Sequence, residues 1–362
     1  MDLQSFIKKI IDWVNKPRKI KLTDKIFFVQ QLSVMLKAGI SLSVALKTLA
    51  EQTSSKTFHR ILADLQQGVE KGNLLSRGLE DYQKLFGELF ISMIQAGEAS
   101  GKLEDVLKQL FIQMKKDHEI VSKVKGAMIY PSIVVAMMAA IGTLMMVYVI
   151  PTISSVFTEL NVELPLATRI LIGLSQFSLT YGLYVLIGLV ILIAALNRII
   201  ATPKGKKEFH KLILKTPVVG PIIKKINLAR FARSLSSLLK TDIPIVKSFE
   251  ITSRILGNVI YRNALLESKE KIKKGISIQQ SLIPYIDLFP PVISQMISVG
   301  EETGALDEIL EESANFYEED VRQTMENLPS LIEPLLVVIL GAGVGAMAVA
   351  VIMPIYSLSE TI

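Results

Sequence analysis

The chain has 362 residues, half of them apolar, a formal net charge of +6 and no cysteine. The missing thiols exclude a disulfide framework, a thiolate metal site and a cysteine nucleophile. The basic balance suits a neighbouring anionic lipid surface, and no clustered basic and aromatic pattern argues for a nucleic-acid partner.

Residues 1–24 form a basic segment in which Lys8, Lys9, Lys16, Arg18, Lys19 and Lys21 outweigh Asp2, Asp12 and Asp24. Leu3, Phe6, Ile7, Ile10 and Val14 share one helical face there. Such a helix either lies on an anionic membrane or packs as an arm on this protein or a partner. Residues 25–125 read as a cytoplasmic helical bundle. Phe28, Leu32, Met35 and Leu36 recur at three-to-four spacing. Gly39 is placed to end that helix and Ser41 to cap the next. Further helices fit 57–70, 74–81, 86–97 and 102–124, and no run shows the alternation of a strand.

No charged residue interrupts 126–158, 170–197 or 334–359. Each stretch exceeds the roughly 20 residues that a helix needs to cross a bilayer. Transmembrane helices are therefore expected within 126–151, 170–197 and 331–358. Lys115, Lys116, Lys123 and Lys125 precede the first, and Arg198, Lys204, Lys206 and Lys207 follow the second. The 152–169 loop between them holds a lone Arg169. The excess of cations marks the cytoplasmic side. The N-terminus, the 198–227 linker and a second bundle at 228–330 are then cytoplasmic, and the loop and the 359–362 tail are external.

The second bundle repeats the first. At a constant offset of 203 residues, Phe28, Leu32, Ser33, Leu36, Lys37 and Ile40 lie over Phe231, Leu235, Ser236, Leu239, Lys240 and Ile243. Lys71-Gly72 lies over Lys274-Gly275, Leu85-Phe86 over Leu288-Phe289, Pro131 over Pro334 and Pro151 over Pro354. A register held without a gap over more than a hundred positions is the signature of internal duplication. The first span matches the third. The second has no counterpart and returns the chain so that both copies point the same way. Asp242 takes the place of Gly39, and Pro244 that of Ser41, where proline is tolerated at a helix start. The fold class expected is all-α: three transmembrane helices and two repeated cytoplasmic bundles.

Each copy carries one short motif, Gly97-Glu98-Ala99-Ser100-Gly101 and Gly300-Glu301-Glu302-Thr303-Gly304, between two apolar helical patterns. Gly101 and Gly304 can take left-handed backbone angles where the chain reverses. Gly97 and Gly300 permit close approach of a neighbouring helix. Glu98 and Glu301 are not explained by glycine geometry. They serve either as a tie to a nearby backbone amide or cation, or as a contact to a partner.

In the spans, Gly341 and Gly345 make a small-residue face that Ala346 extends, suited to helix packing within the chain or against another subunit. Pro131 and Pro334 fall at the cytoplasmic starts of their spans, and Pro151 and Pro354 at the outer ends. All four read as helix-end devices and as candidate hinges.

Duplicated helical domains with a Gly-Glu-x-x-Gly turn, each followed by a span with Tyr130-Pro131 or Glu333-Pro334 near its start, resemble the inner-membrane platform proteins of type II secretion systems and type IV pili. The resemblance runs from about residue 25 to the end. It implies a non-enzymatic scaffold in the bacterial inner membrane that couples a cytoplasmic hexameric assembly ATPase to the assembly of pilin or pseudopilin fibres. Other inner-membrane components and further copies of the chain are implied as partners. No cofactor or metal is implied.

The residues weigh against other classes. The nearest match to a phosphate-binding loop, Gly97 to Leu103, is one residue short and lacks the Ser or Thr that holds magnesium. A small oligomeric transporter or channel is the alternative reading. Such proteins usually carry ionisable groups inside the membrane. Thr143, Tyr148, Ser175, Gln176 and Tyr184 are the polar members of these spans. An intramembrane aspartyl protease needs two acidic groups that the spans lack. His59, His118 and His210 are far apart and have no metal-ligand spacing.

Overall fold

The computed structural model describes residues 20–152, 155 and 166–359. The amphipathic pattern before residue 20, most of the 152–169 loop and residues 360–362 lie outside the described residues. Every regular element among the described residues is helical. The helices are α1 Leu22–Lys37, α2 Leu42–Gln52, α3 Lys56–Glu70, α4 Leu75–Glu80, α5 Gln83–Phe86, α6 Glu88–Ser100 and α7 Leu103–Leu144. They continue as α8 Leu166–Ala201, α9 Pro203–Leu214, α10 Val219–Leu239, α11 Ile245–Ile255, α12 Val259–Lys273, α13 Ile278–Leu282, α14 Pro291–Thr303 and α15 Leu306–Ser359. The chain divides into two compact units: residues 1–120 with 213–321, and residues 121–212 with 322–362.

The first unit contains both repeats, and their punctuation is the same. Gly39 ends α1 at φ 79°, and Asp242 ends α10 at φ 60°, the one described non-glycine residue with positive φ. Aspartate is one of the few residues other than glycine that enter that region, and the turn is intact, with Ile40 N donating to Met35 O at 3.0 Å and Ile243 N to Leu238 O at 3.1 Å. Ser55 caps α3 by accepting from Phe58 N at 3.3 Å, and Asn258 caps α12 by accepting from Ile260 N at 2.8 Å. The residue three before each first apolar anchor thus satisfies an amide that the helix leaves open.

Each repeat closes around three aromatic rings. Phe28, Phe58 and Phe86 meet at centroid distances of 5.6 to 6.5 Å. Their equivalents Phe231, Tyr261 and Phe289 meet through edge contacts at 5.1 and 5.5 Å. The second triad carries a hydroxyl that the first lacks. Tyr261 Oη donates to the Leu288 carbonyl at 2.9 Å. The matching carbonyl, Leu85 O, accepts instead from Lys25 Nζ at 2.8 Å. Burial pushes the Tyr261 hydroxyl up and the Lys25 ammonium down in pKa, as desolvation of each charged form requires.

The repeats join within this unit. Leu238, Ile243 and Ile251 of the second repeat are buried in the hydrophobic cluster of the first. Arg230 Nε donates to Asp117 Oδ1 at 2.7 Å, and Arg254 Nη1 to Glu88 Oε1 at 2.7 Å. The buried Arg233 meets Glu318 with two bonds of 2.7 and 2.9 Å, and Lys116 of α7 stands 3.3 Å from the same carboxylate.

The second unit holds the apolar stretches. Helical segments Leu103–Thr152, Ile172–Ala201 and Leu306–Ala346 are long and apolar enough to cross a membrane. Leu183, Tyr184, Val337 and Val338 stand exposed, as lipid-facing side chains do. Lys123 Nζ bonds Glu326 Oε1 at 3.0 Å, and these two positions are 203 residues apart, so α7 and α15 meet at equivalent points.

The expected helix boundary between 124 and 126 does not exist. Pro131 lies inside α7, and Pro334 inside α15, not at helix starts. Proline removes one backbone bond and crowds the carbonyl four residues earlier, but an apolar environment stabilises every remaining bond and proline is tolerated in spanning helices. Pro151 also lies in helical backbone, two residues past the end of a π-helical turn, Met145–Val149. Ser175 Oγ of α8 donates to the Met146 carbonyl within that turn at 2.5 Å. Pro354 is helical as well. Pro131, Pro334 and Pro354 are therefore not helix ends.

The exchange of Lys25 for Tyr261 at one carbonyl is testable. Lys25→Met should lower stability by about 1 kcal/mol, the typical worth of the lost bond. Adding Phe58→Tyr should restore most of it. Thermal melts of the two variants in detergent, followed by circular dichroism, measure both steps. A double variant no more stable than Lys25→Met would refute the equivalence.

Candidate functional site

The two Gly-Glu turns are built alike. Helix α6 ends at Gly101, which adopts φ 69° and ψ 15°, and α14 ends at Gly304 with φ 74° and ψ 8°. Lys102 N donates to the Gly97 carbonyl at 2.9 Å, closing the helix end in the usual left-handed manner. The chain then turns directly into α7 or α15, with Glu104 and Asp105, or Asp307 and Glu308, in the first turn. Negative charge there complements the helix dipole.

Gly97 and Gly300 face that following helix. A Cβ on Gly97 would lie 2.9 Å from Val106 Cγ2 and 3.1 Å from Leu103 Cα. A Cβ on Gly300 would lie 2.9 Å from Leu306 Cα. The obstacle is the Val106 side chain with the Leu103 backbone behind it in the first copy and the Leu306 backbone in the second, so a side chain at either glycine would push the following helix away.

Glu98 reaches across to the start of α4. Its two carboxylate oxygens accept from Leu75 N at 2.5 Å and Ser76 N at 3.0 Å. Glu301 does the same for α13, accepting from Ile278 N at 2.6 Å and Gln279 N at 3.0 Å. Leu74, at the cap of α4, offers no side-chain acceptor. The glutamate is therefore a remote N-cap: it satisfies two open amides and places a charge at the positive end of a helix dipole. Of the two roles open for Glu98 and Glu301, the amide tie is the one with a geometry. Sequence reasoning missed the receiving residues, Leu75, Ser76, Ile278 and Gln279. They carry the interaction on backbone atoms, and the only signal was the start of a helix near 74.

The segment from Gly97 to Leu103 is a helix C-terminus. Its amides are used in the reversal, so they do not converge on a phosphate. In the second unit, Gly341, Gly345 and Ala346 are exposed, and the space above both glycines is open.

The type II secretion system (T2SS), protein F family matches the chain twice, at residues 28–151 and 231–354. The chain belongs to this family. Its two matched segments are offset by the same 203 residues that align the repeats. Among relatives, a type IV pilus assembly protein PilC of Thermus thermophilus is 34% identical over 94% of this chain and 84% of its own length. A type IV pilus assembly protein PilC of Pseudomonas aeruginosa is 30% identical over 98% and 95%. A type II secretion system protein F of Vibrio cholerae is 30% identical over 95% and 84%. Family membership and the three apolar helices make this an integral membrane protein built from an internal repeat.

Replacing Glu98 or Glu301 by alanine should cost about 1.5–3 kcal/mol each, because a charged acceptor leaves two amides unmatched. Amide exchange measured by mass spectrometry should rise first at residues 75–76 or 278–279. Unchanged protection at those amides in the cognate variant would remove the cap from the account.

Proposed function

We propose that this protein is the non-enzymatic inner-membrane platform of a type IV pilus or type II secretion machine. It couples a cytoplasmic hexameric assembly ATPase to the addition of pilin or pseudopilin subunits. The observation that carries the reading is the twofold match to the family together with relatives named for pilus assembly and for type II secretion. The helices α7 and α15 support it. Leu107 and Leu110, and Leu310 and Ala314, are core residues near their starts. Both helices then run unbroken into the apolar stretches. Helical backbone that is continuous between a nucleotide-driven partner and a lipid-embedded one suits a part that passes displacement without hydrolysing anything itself.

The bundles lie in the cytoplasm, and the tail lies outside. The uncovered Gly341, Gly345 and Ala346 face receives a fibre subunit, since small residues let a second helix approach closely in lipid. The Gly-Glu turns hold the bundle in shape and do not meet the ATPase directly. Docking falls on exposed side chains of the first unit.

The cysteine-free chain makes both claims measurable. Single cysteines at Lys56 and Thr361 should divide in intact spheroplasts: an impermeant maleimide labels 361 at once and 56 only after permeabilisation. The opposite order would overturn the orientation. Crosslinking in cells from cysteines at the exposed Leu74, Ile286 and Ala346 should capture a hexameric ATPase from the first two and a pilin-like subunit from the third. Only lipid or self contacts at every position would sink the fibre-assembly role and leave the topology standing.

A further inference from the structure

Helix α8 ends at Ala201 and α9 begins at Pro203, so a single residue, Thr202, separates them. Thr202 Oγ1 donates to the Ile199 carbonyl at 2.7 Å and accepts from Gly205 N at 3.1 Å. It closes the last turn of α8 and caps the first turn of α9, with Pro203 at the first helical position, where a missing amide costs little. A straight helix would carry residue 205 about 9 Å along its axis from residue 199. Here a Cβ on Gly205 would stand 2.0 Å from the Ile199 oxygen. The chain therefore turns sharply just where the uncharged stretch of α8 ends, and only glycine fits inside the corner.

Helix α9 leaves that corner with no buried residue. At about 100° per residue, Phe209, Leu212 and Ile213 fall on one arc of it, and Lys204, Lys207 and Lys211 on the opposite arc. Phe209 is 39% exposed and Leu212 66%. The three lysines are exposed too, and Lys206 stands at the edge of the apolar arc. A helix with one aromatic-containing apolar face and one cationic face is the pattern that lies in the plane of a bilayer surface. Two observations choose lipid to cover the apolar face. The first is continuity: the exposed apolar side chains of α8 run on through Leu196 and Ile199 to the corner itself. The second is charge: four lysines face a single carboxylate, Glu208, along α9, a balance that complements anionic headgroups.

We propose that α9 is a lipid-binding strap. It lies along the surface of the bilayer that α8 crosses, with Phe209 and Leu212 among the outermost acyl carbons and Lys204, Lys207 and Lys211 on the phosphates of anionic phospholipids. The corner from Thr202 to Gly205 turns the helix away from the α8 axis and into that surface. This goes beyond the platform reading and does not depend on it, since α9 meets lipid whatever partners the bundles have.

Because the chain has no cysteine, single spin labels report on α9 in the full-length protein. F209C, L212C, K207C and K211C are labelled and reconstituted in nanodiscs of phosphatidylcholine with phosphatidylglycerol. Collisions with oxygen, which concentrates in lipid, should exceed those with a water-soluble nickel chelate at 209 and 212, and the order should reverse at 207 and 211. The oxygen-to-nickel ratio should differ at least about fivefold between the two faces. In the F209C chain, adding K204Q, K207Q and K211Q should lower the ratio at 209 at least about threefold, with helical content retained, and discs of phosphatidylcholine alone should do the same to the unaltered lysines. Inorganic phosphate added to those discs should not restore it. Equal nickel access on both faces would show a solvated helix, and exclusion of both reagents from 209 and 212 would show a protein cover. Either result overturns the proposal. So does a ratio at 209 that ignores lipid charge and lysines alike, or one that free phosphate restores.

Discussion

Each repeat depends on a carboxylate that crosses from the end of one helix to the start of another. The cap of α4 offers no side-chain acceptor and that of α13 offers only Ser277 Oγ to Gln280 N, and Glu98 and Glu301 supply two oxygens apiece to the amides left open. The contact fixes the distance between α6 and α4, or α14 and α13. That in turn sets where the following glycine turn points α7 or α15. Gly97 and Gly300 then let the long helix lie directly on the helix before it, because a Cβ would meet Val106 and Leu103 in one copy and the Leu306 backbone in the other. Carboxylate, close approach and left-handed turn act on five consecutive residues, and so the motif is compact and occurs once per repeat.

The duplication shows which features a fold requires and which it can exchange. The aromatic triad, the left-handed residue after the first helix and the caps of α3 and α12 persist with changed chemistry. One carbonyl is served by an ammonium in one copy and by a phenol in the other. The Arg233–Glu318 pair has no such echo, since Gln30 and Lys115 stand in its place in the first repeat. A buried ion pair adds little net stability once desolvation is counted, and its better attested use is to specify a single arrangement. Here Lys116 of the first repeat shares Glu318. The network therefore ties α10 and α15 of the second repeat to α7 of the first.

The fold class was legible because its signals are local and strong. An uncharged stretch longer than a bilayer is thick, and a register kept without a gap, need no tertiary information. The turns were legible for the same reason, as Gly39, Gly101 and Gly304 announce positive φ. The prolines misled because the rule that proline ends a helix holds in water, where a lost bond is replaced by solvent. Along an apolar helix other groups take up the freed carbonyl, as Ser175 Oγ does for Met146 O beside the π-helical turn before Pro151, and the helix continues. The task of Glu98 was hidden by distance: its partners are backbone amides 23 and 22 residues away, and amides leave no mark in a sequence.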